Sequence, residues 1–381
     1  MNSLASIREE IDSTDRELVE LLKHRFALSQ QVADTKKSTG TPINDPARER
    51  DILNRLCDQA GEEYETEIRL LYTRIFALSK ARQRARFRQA QPLSVAIQEV
   101  LRHPAQFPQR AMVACPGVEG SYSQQATTKF FTLPTILYFN NFEKVFEAVE
   151  QGLCPYGVLP IENTAAGSVV SIYDAMMQHN FHIVRSCRMR IDHVLLGKAG
   201  ATLDGIQQVV SQSHALAQCS RFLKAHPNWS LSPSANTATA AKHLAEEGDA
   251  HQAVIASREC AELYGLSILA ENITDTPLNY TRFICIARNL EIFESARKLS
   301  LMLELPNRAG SLSDLLDHFA ALGINLTKLE SRPIPGRDFQ FLFTFDFEAS
   351  PRDPKTLQLL DALASDPQIS HFTFLGAYDE N

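Results

Sequence analysis

The 381-residue sequence has no apolar run approaching the ~18 residues of a membrane-spanning helix, and its start, MNSLASIREEIDSTDRE, has no apolar stretch of signal-peptide length. Surplus positive charge is also absent. Lysine and arginine number 38 against 45 aspartates and glutamates, and the net charge of −7 argues against a protein dedicated to nucleic acid. The seven cysteines form no Cys-x-x-Cys pair and are odd in number, which fits reduced, buried thiols in cytoplasm better than a disulfide framework or a zinc site. No His-x-x-x-His motif occurs, and His179 and His182, though spaced i, i+3, lack companion ligands, so neither metal nor other cofactor is expected. The first ninety residues are poor in glycine and proline, holding only Gly40, Gly61, Pro42 and Pro46. With 44% hydrophobic and 22% charged residues the chain has a globular composition, and its length exceeds one typical core, so two or three domains are expected.

Residues 1–90 read as three helices. Leu4, Ile7, Ile11, Leu18, Leu21, Leu22, Leu28 and Val32 mark a first long amphipathic helix ending near Lys37. A second starts around Asn44–Pro46, with Asn or Asp as N-cap and Pro in its first turn, and ends before Gly61; a third runs from about Glu63 to Arg88. A helix this long, in so thin a core, is expected to bury its stripe against another chain. Residues 91–110 lose periodicity and carry several prolines, as a linker would. Over 111–290 short β-rich runs (TILYF, YGVLPI, HIVRS, DHVLLG, QQVVSQ, QAVIAS, FICIAR) alternate with helical ones, a texture that predicts parallel sheets with crossover helices. From Arg297 the order is strand, helix, strand, strand, helix, strand, a βαββαβ unit of the ferredoxin-like kind.

At ~100° per residue Arg25 shares a side of the first helix with Ile11, Leu18 and Val32, and Lys36 lies about five turns beyond Leu18. Both cations therefore point into the apolar stripe, where a charge has to be paired or neutralised. Asp45, Arg48 and Glu49 share a face of the second helix, and Ser79 and Gln83 a face of the third. Together these form either a cation-rich cavity for a small dicarboxylate or a set of internal salt bridges. The segments SIREEID, LLKHRFALSQQVADTKK, NDPARERDIL and SKARQ resemble the all-helical chorismate mutase domain over about residues 4–88. The resemblance implies Arg8, Arg25, Lys36, Asp45, Arg48, Glu49, Ser79 and Gln83 as substrate-binding positions, with Lys36 and Gln83 facing the ether oxygen as donors in the rearrangement of chorismate to prephenate. Arg8 lies some 25 Å from Arg25 along one straight helix, so it would serve the partner's site in a homodimer of intertwined helices.

In the central region GVEGSYS (117–123) follows a strand and opens a helix, an anion-binding arrangement that is weak alone. PIENT (160–164), SH (213–214), NTATAA (236–241) and NYTRF (279–283) each sit where strands begin or end. In this order they resemble prephenate dehydratase over about 112–289, which implies two α/β lobes of the periplasmic-binding type, 112–186 plus 275–289 and 188–270, with the site in the cleft. The resemblance places catalysis on Thr281, the proton donor to a departing hydroxide as prephenate loses carbon dioxide. A free hydroxyl donates poorly, and Glu162 and His214 are the titratable candidates to support it. Ser121, Tyr122, Asn163, Thr164, Ser213, His214, Thr237 and Arg282 would bind substrate, Arg282 either gripping a carboxylate or bracing its strand.

PNRAGSL (306–312) and ESRP (330–333) make the last unit, 297–378, resemble an ACT domain, an amino-acid-binding regulatory module. The resemblance implies phenylalanine held by Asn307, Ala309, Gly310, Ser311, Leu312, Glu330, Ser331 and Arg332, with Ser311 standing where the family usually has alanine. The whole sequence is thus similar to bifunctional chorismate mutase–prephenate dehydratases. The fold class expected is an all-α domain, a two-lobed α/β domain and an α+β domain, acting on chorismate and prephenate without nucleic acid or membrane as partner. Two alternatives stand beside it: a dehydratase with a vestigial mutase domain, and a non-enzymatic amino-acid sensor.

Overall fold

The computed structural model describes residues 3–41, 45–87, 93–103, 105–334, 336–337, 340–366 and 368–380. Helix α1 (Leu4–Thr39) starts at an N-cap, Ser3, whose hydroxyl accepts from Ser6 N, and ends at Gly40 with φ +69°, a left-handed conformation natural to glycine. Helix α2 (Pro46–Ala60) is capped by Asp45, with Pro46 in its first turn, as the sequence predicts; Asn44 and Arg88 lie outside the described residues. Helix α3 (Glu65–Phe87) packs on α1 and α2. Among the described residues of α1 only Ser29 and Ala33 are fully buried, whereas Leu4, Ile11, Leu18, Leu21, Leu28 and Val32 are exposed. The stripe read from the sequence therefore exists as a stripe and, Leu22 apart, is largely uncovered among the described residues. The aperiodic segment after it is not wholly irregular. Helix α4 (Leu93–Arg102) buries Ile97 completely in the core of the C-terminal unit, and Asp361 caps it from there through Ser94 N and Oγ. Its apolar residues found cover that only the tertiary structure supplies.

The first lobe comprises β1 (Arg110–Pro116), α5 (Tyr122–Phe130), β2 (Leu133–Phe139), α6 (Phe142–Glu150), β3 (Tyr156–Asn163), β4 (Gly167–Ser168), α7 (Val170–Met176) and β5 (His182–Arg190). The second comprises β6 (His193–Gly197), β7 (Gln208–Ser211), α8 (Ser213–Gln218), α9 (Ser220–Lys224), β8 (Ser230–Pro233), α10 (Thr237–Glu247), β9 (Gln252–Ser257), α11 (Glu259–Tyr264) and β10 (Ser267–Ala270). The chain then returns through β11 (Tyr280–Ala287), which inserts between β3 and β5, so the first sheet runs β2-β1-β3-β11-β5 and the second β10-β6-β9-β7-β8. The expectation of parallel sheets needs correction. β1 is parallel to β2 and β3, but β11 is antiparallel to both its neighbours, as β6 is to β9 and β10. Strands at the crossings between lobes enter against the direction of the βαβ strands, so both sheets are mixed.

The last unit has β12 (Lys298–Leu305), α12 (Ser311–Ala321), β13 (Asn325–Pro333), β14 (Phe341–Glu348), α13 (Pro354–Ala364) and β15 (His371–Tyr378), in an antiparallel sheet of order β13-β14-β12-β15. All eight residues of β12 are buried. Leu299, Leu301, Leu303 and Leu305 face the helices of their own unit, while Met302 joins the first lobe's core with Leu342, Leu375 and Tyr378. The polar positions Lys298 and Ser300 fall on that same covered side. The sheet is thus covered by helices on one face and by the first lobe on the other. At Gly376, with φ +148°, a Cβ would collide with the Ile183 carbonyl of β5, so the close approach of β15 to the lobe requires glycine.

His179 sits between α6 carboxylates, its ring nitrogens 2.7 Å from Glu150 and 2.7 Å from Glu143, and stacks on Phe146. Burial alone would lower its pKa, but the two hydrogen-bonded carboxylates outweigh it and the net shift is upward from 6.5. The stabilisation is therefore fully present below pH 6.5 and is lost as pH rises through the elevated folded-state value. His179→Gln is expected to lower Tm by about 2–4 °C at pH 6, and by less at pH 8.5, in thermal melts across that range. A pH-independent difference would show that only packing is involved.

Candidate active sites

In the helical domain α1 meets α3 along a polar seam. Arg25 Nη1 donates to Ser79 Oγ at 2.9 Å, its guanidinium lies over the rings of Tyr72 and Phe76 at 5.9 and 5.4 Å, and one helical turn on Gln83 Nε2 donates to Ser29 Oγ at 2.8 Å. Burial lowers the pKa of Arg25. Gln83 is buried and its Oε1 has no partner. The structure thus brings together Arg25, Ser79 and Gln83, and Lys36 is half-buried further along α1. Asp45 is spent as the α2 cap, accepting from Arg48 N at 3.0 Å, and the Arg48 side chain is exposed. Glu49 pairs with Lys80 at 3.0 Å and faces a cavity of about 300 Å³ between α2, α3 and the C-terminal unit, lined also by Arg308, Asp314 and His318. Arg8 is exposed on α1, away from this seam.

A second constellation lies where the two lobes meet. Thr281, at the start of β11, stands opposite Asn163, at the end of β3. Asn163 Nδ2 donates to Thr281 Oγ1 at 2.9 Å and to Asn279 Oδ1 at 2.8 Å, while its Oδ1 accepts from Ala165 N and Ala166 N, both at 2.9 Å. The Thr281 oxygen is therefore already an acceptor, which leaves its O–H proton free for a ligand. Gln218, the last residue of α8, donates to Asn163 Oδ1 at 3.4 Å, accepts from Asn279 Nδ2 at 3.0 Å and lies 3.2 Å from His193 Nε2; His193 Nδ1 in turn lies 3.3 Å from the Tyr122 hydroxyl. Side chains from both lobes and from the return strand thus form one hydrogen-bonded line. Burial drives the His193 pKa down to about 4, so it is neutral near pH 7. Tyr122 belongs to α5, whose N-terminus, capped by Ser121, lies near that of α10, capped by Asn236: a side chain at Gly117 would meet Ser121 Oγ and Asn236 Nδ2, each at 3.6 Å. Two converging helix N-termini favour an anion between them. Thr237 is the buried first residue of α10, beside the Asn236 cap.

The structure separates other predicted residues from this line. Glu162 is offset from Asn163 by one position and faces the C-terminal unit, where Lys328 Nζ meets it at 3.2 Å. Strand alternation therefore corrects its assignment as the support of Thr281. Asn163 is the group that contacts the hydroxyl. Arg282 is also turned away: it is buried against Asp346, Glu380, Ser186 and Tyr378, which decides its open alternative in favour of bracing. Thr164 staples its turn to β11, donating to Leu278 O and accepting from Tyr280 N. Ser213 and His214 are exposed on the first turn of α8, and His214 does not reach Thr281 through any hydrogen bond among the described residues. His193, Gln218 and Asn279 carry no sequence signal beyond the NYTRF run for Asn279; a lone His and a lone Gln become visible only when the lobes close on each other.

In the C-terminal unit Gly310, with φ +87°, turns the chain into α12. Asn307 and Ala309 are exposed, Leu312 is half-buried, and Ser311 is buried with no partner for its hydroxyl. Leu305 and Pro333 both stand opposite Phe341, so the 306–312 turn and the ESRP segment share one end of the sheet, about 10 Å apart across β14. Ser331 is exposed, but Glu330 accepts from Ser168 and Arg332 Nη2 donates to Asp174 at 3.0 Å, both of the first lobe.

Sequence comparison matches this layout unit by unit: chorismate mutase type II over residues 7–84, prephenate dehydratase over 113–291 and the ACT domain over 299–365. The chain is 31% identical over 372 residues to the bifunctional chorismate mutase/prephenate dehydratase of Enterobacter agglomerans, covering 95% of this chain and 92% of that protein. It belongs to that family. The chain is a two-activity enzyme, chorismate mutase and prephenate dehydratase, with an ACT domain. Among solved structures, prephenate dehydratase from Arthrobacter aurescens in complex with L-Phe matches with TM-score 0.63 and 30% identity, covering 70% of this chain and 90% of that one. A structure titled GqqA, a novel type of quorum quenching acylases, matches with TM-score 0.63 and 29% identity, covering 71% of this chain and 98% of that one.

Proposed function

We propose that the α1–α3 seam holds chorismate and the lobe junction holds prephenate, so that the chain converts chorismate to prephenate and then to phenylpyruvate. The observation that carries the dehydratase assignment is the Thr281 hydroxyl, held as an acceptor by Asn163 at 2.9 Å with its proton free. Thr281 would protonate the departing hydroxide, Asn163 and Gln218 would orient it, and the paired helix N-termini at Ser121 and Thr237 would take a carboxylate. In the mutase, Arg25 with Arg48 would grip carboxylates while Lys36 and Gln83 face the ether oxygen; a pericyclic step needs this positioning and charge stabilisation, not an acid or base. The bare apolar face of α1 and the outlying Arg8 support a homodimer in which Arg8 completes the partner's site. Phenylalanine at the 306–312 turn and the ESRP segment would inhibit as a feedback effector, and a division at residues 1–90, 91–110, 111–290 and 297–378 in a cytoplasmic enzyme completes the reading.

Chorismate loss and phenylpyruvate formation, followed with and without phenylalanine, test it. Both should proceed, and phenylalanine should slow phenylpyruvate formation. Phenylpyruvate made only from added prephenate would mean a dead mutase domain. No turnover of either substrate would leave only the sensor.

A further inference from the structure

The last residues of β3 and the first of β11 alternate in a way that ties the cleft to the C-terminal sheet. Asn163 and Thr281 pair on the cleft side; their strand neighbours Glu162 and Arg282 pair with each other and face the opposite side. Arg282 is only 5% exposed. It is bound by Asp346 of β14, Glu380 at 2.8 Å and the Tyr378 hydroxyl at 2.7 Å, and Asp346 also accepts from Ser300 of β12. Glu162 is held by Lys328 of β13, which also meets Glu330 and Ser168 Oγ, each at 3.2 Å, and lies over the Tyr173 ring. Two strands of the regulatory sheet therefore grip the two residues adjacent to the catalytic pair. Just before the grip the β3–β11 ladder is interrupted: Arg282 pairs with Glu162 but Phe283 pairs with Pro160, leaving Ile161 as an extra residue. Such a bulge leaves Ile161 out of the β3–β11 ladder and bends the strand locally, while the end of β11 stays paired to β5.

We propose that Lys328 and Asp346 are the coupling residues through which the state of the C-terminal sheet reaches the dehydratase site, by displacing Glu162 and Arg282 and with them Asn163 and Thr281. This rests on the feedback reading above. The Arg282–Asp346 pair is buried, and a buried ion pair contributes little net stability compared with apolar packing but is strict about geometry, which suits it to transmit a displacement; the Lys328–Glu162 pair is partly exposed on the Glu162 side. An effector biases the cleft only through contacts that differ between two states, and this joint supplies such contacts.

The test uses the full chain and L-phenylalanine, with binding measured by calorimetry and inhibition by prephenate turnover. The variants are Lys328→Met and Asp346→Asn, with Lys328→Arg as the charge-keeping control. The wild type should bind phenylalanine and show coupling of the usual order, about 5–150-fold. Lys328→Met and Asp346→Asn should bind it comparably and turn over prephenate at a comparable basal rate, while their coupling falls toward one; Lys328→Arg should stay inhibited. If the wild type and both variants bind and are inhibited alike, the inference is overturned while the feedback reading stands. If the wild type binds no phenylalanine, both fall. Should Asp346→Asn fail to melt cooperatively, Lys328→Met decides alone.

Discussion

Thr281→Ala is expected to lower kcat for prephenate by about 10²–10⁴-fold, the range of a lost proton donor, while leaving chorismate turnover unchanged. Thr281 is 8% exposed and its hydroxyl accepts from Asn163, so removing the hydroxyl deletes the free O–H at the lobe junction and leaves the Asn163 amide bonded to Asn279. Thr281→Ser keeps the hydroxyl and should retain most of the activity. Thr281→Val keeps the shape without the donor and should behave like alanine. Steady-state kinetics on both substrates separates these outcomes. A fully active Thr281→Val would remove Thr281 from the chemistry and return attention to His193 and Gln218, the other polar groups on the same line.

Gln83→Glu should lower mutase kcat/KM about 10²–10³-fold at pH 7.5, the cost of losing one preorganised donor, and should restore much of it in acid. A neutral amide donates at any pH, whereas a carboxyl donates only when protonated. Gln83 is buried and its Oε1 has no partner, so a carboxylate at this position would be desolvated and its pKa raised, bringing the recovery into a measurable range. The sign follows from the donor role: activity falls as pH rises through that pKa. A wild-type pH–rate profile for the variant would mean that Gln83 does not face the developing charge, and would leave Lys36 as the remaining donor candidate. Prephenate turnover provides the internal control for folding.

Much of this was legible without coordinates because it is local. The N-cap at Asp45, the breaks at Gly40 and Gly61, and the short β-rich runs that mark β3, β9 and β11 are written in neighbouring residues, and so are the βαββαβ order and the motif runs. The stripe of the long helix was legible too, and its residues Leu4, Ile11, Leu18, Leu21, Leu28 and Val32 are exposed among the described residues. Thr281 and Asn163 were both within reach, since each lies in a short run at a strand end.

Side-chain direction was decided elsewhere. Whether Glu162 or Asn163 supports Thr281 depends on which strand lies opposite and in which register, and the bulge at Ile161 sets that register between segments more than a hundred residues apart. Arg282 resembled a substrate arginine until the C-terminal sheet supplied Asp346 and Glu380 on its far side. Met302, with Lys298 and Ser300, is buried because a second domain covers the open face of its sheet, a fact of docking that no periodicity contains. Sequence determined which elements form and which chemical groups they carry, because propensity, capping and pattern act over a few residues. Tertiary structure alone decided which groups meet, because long-range strand pairing and burial between domains fix the faces.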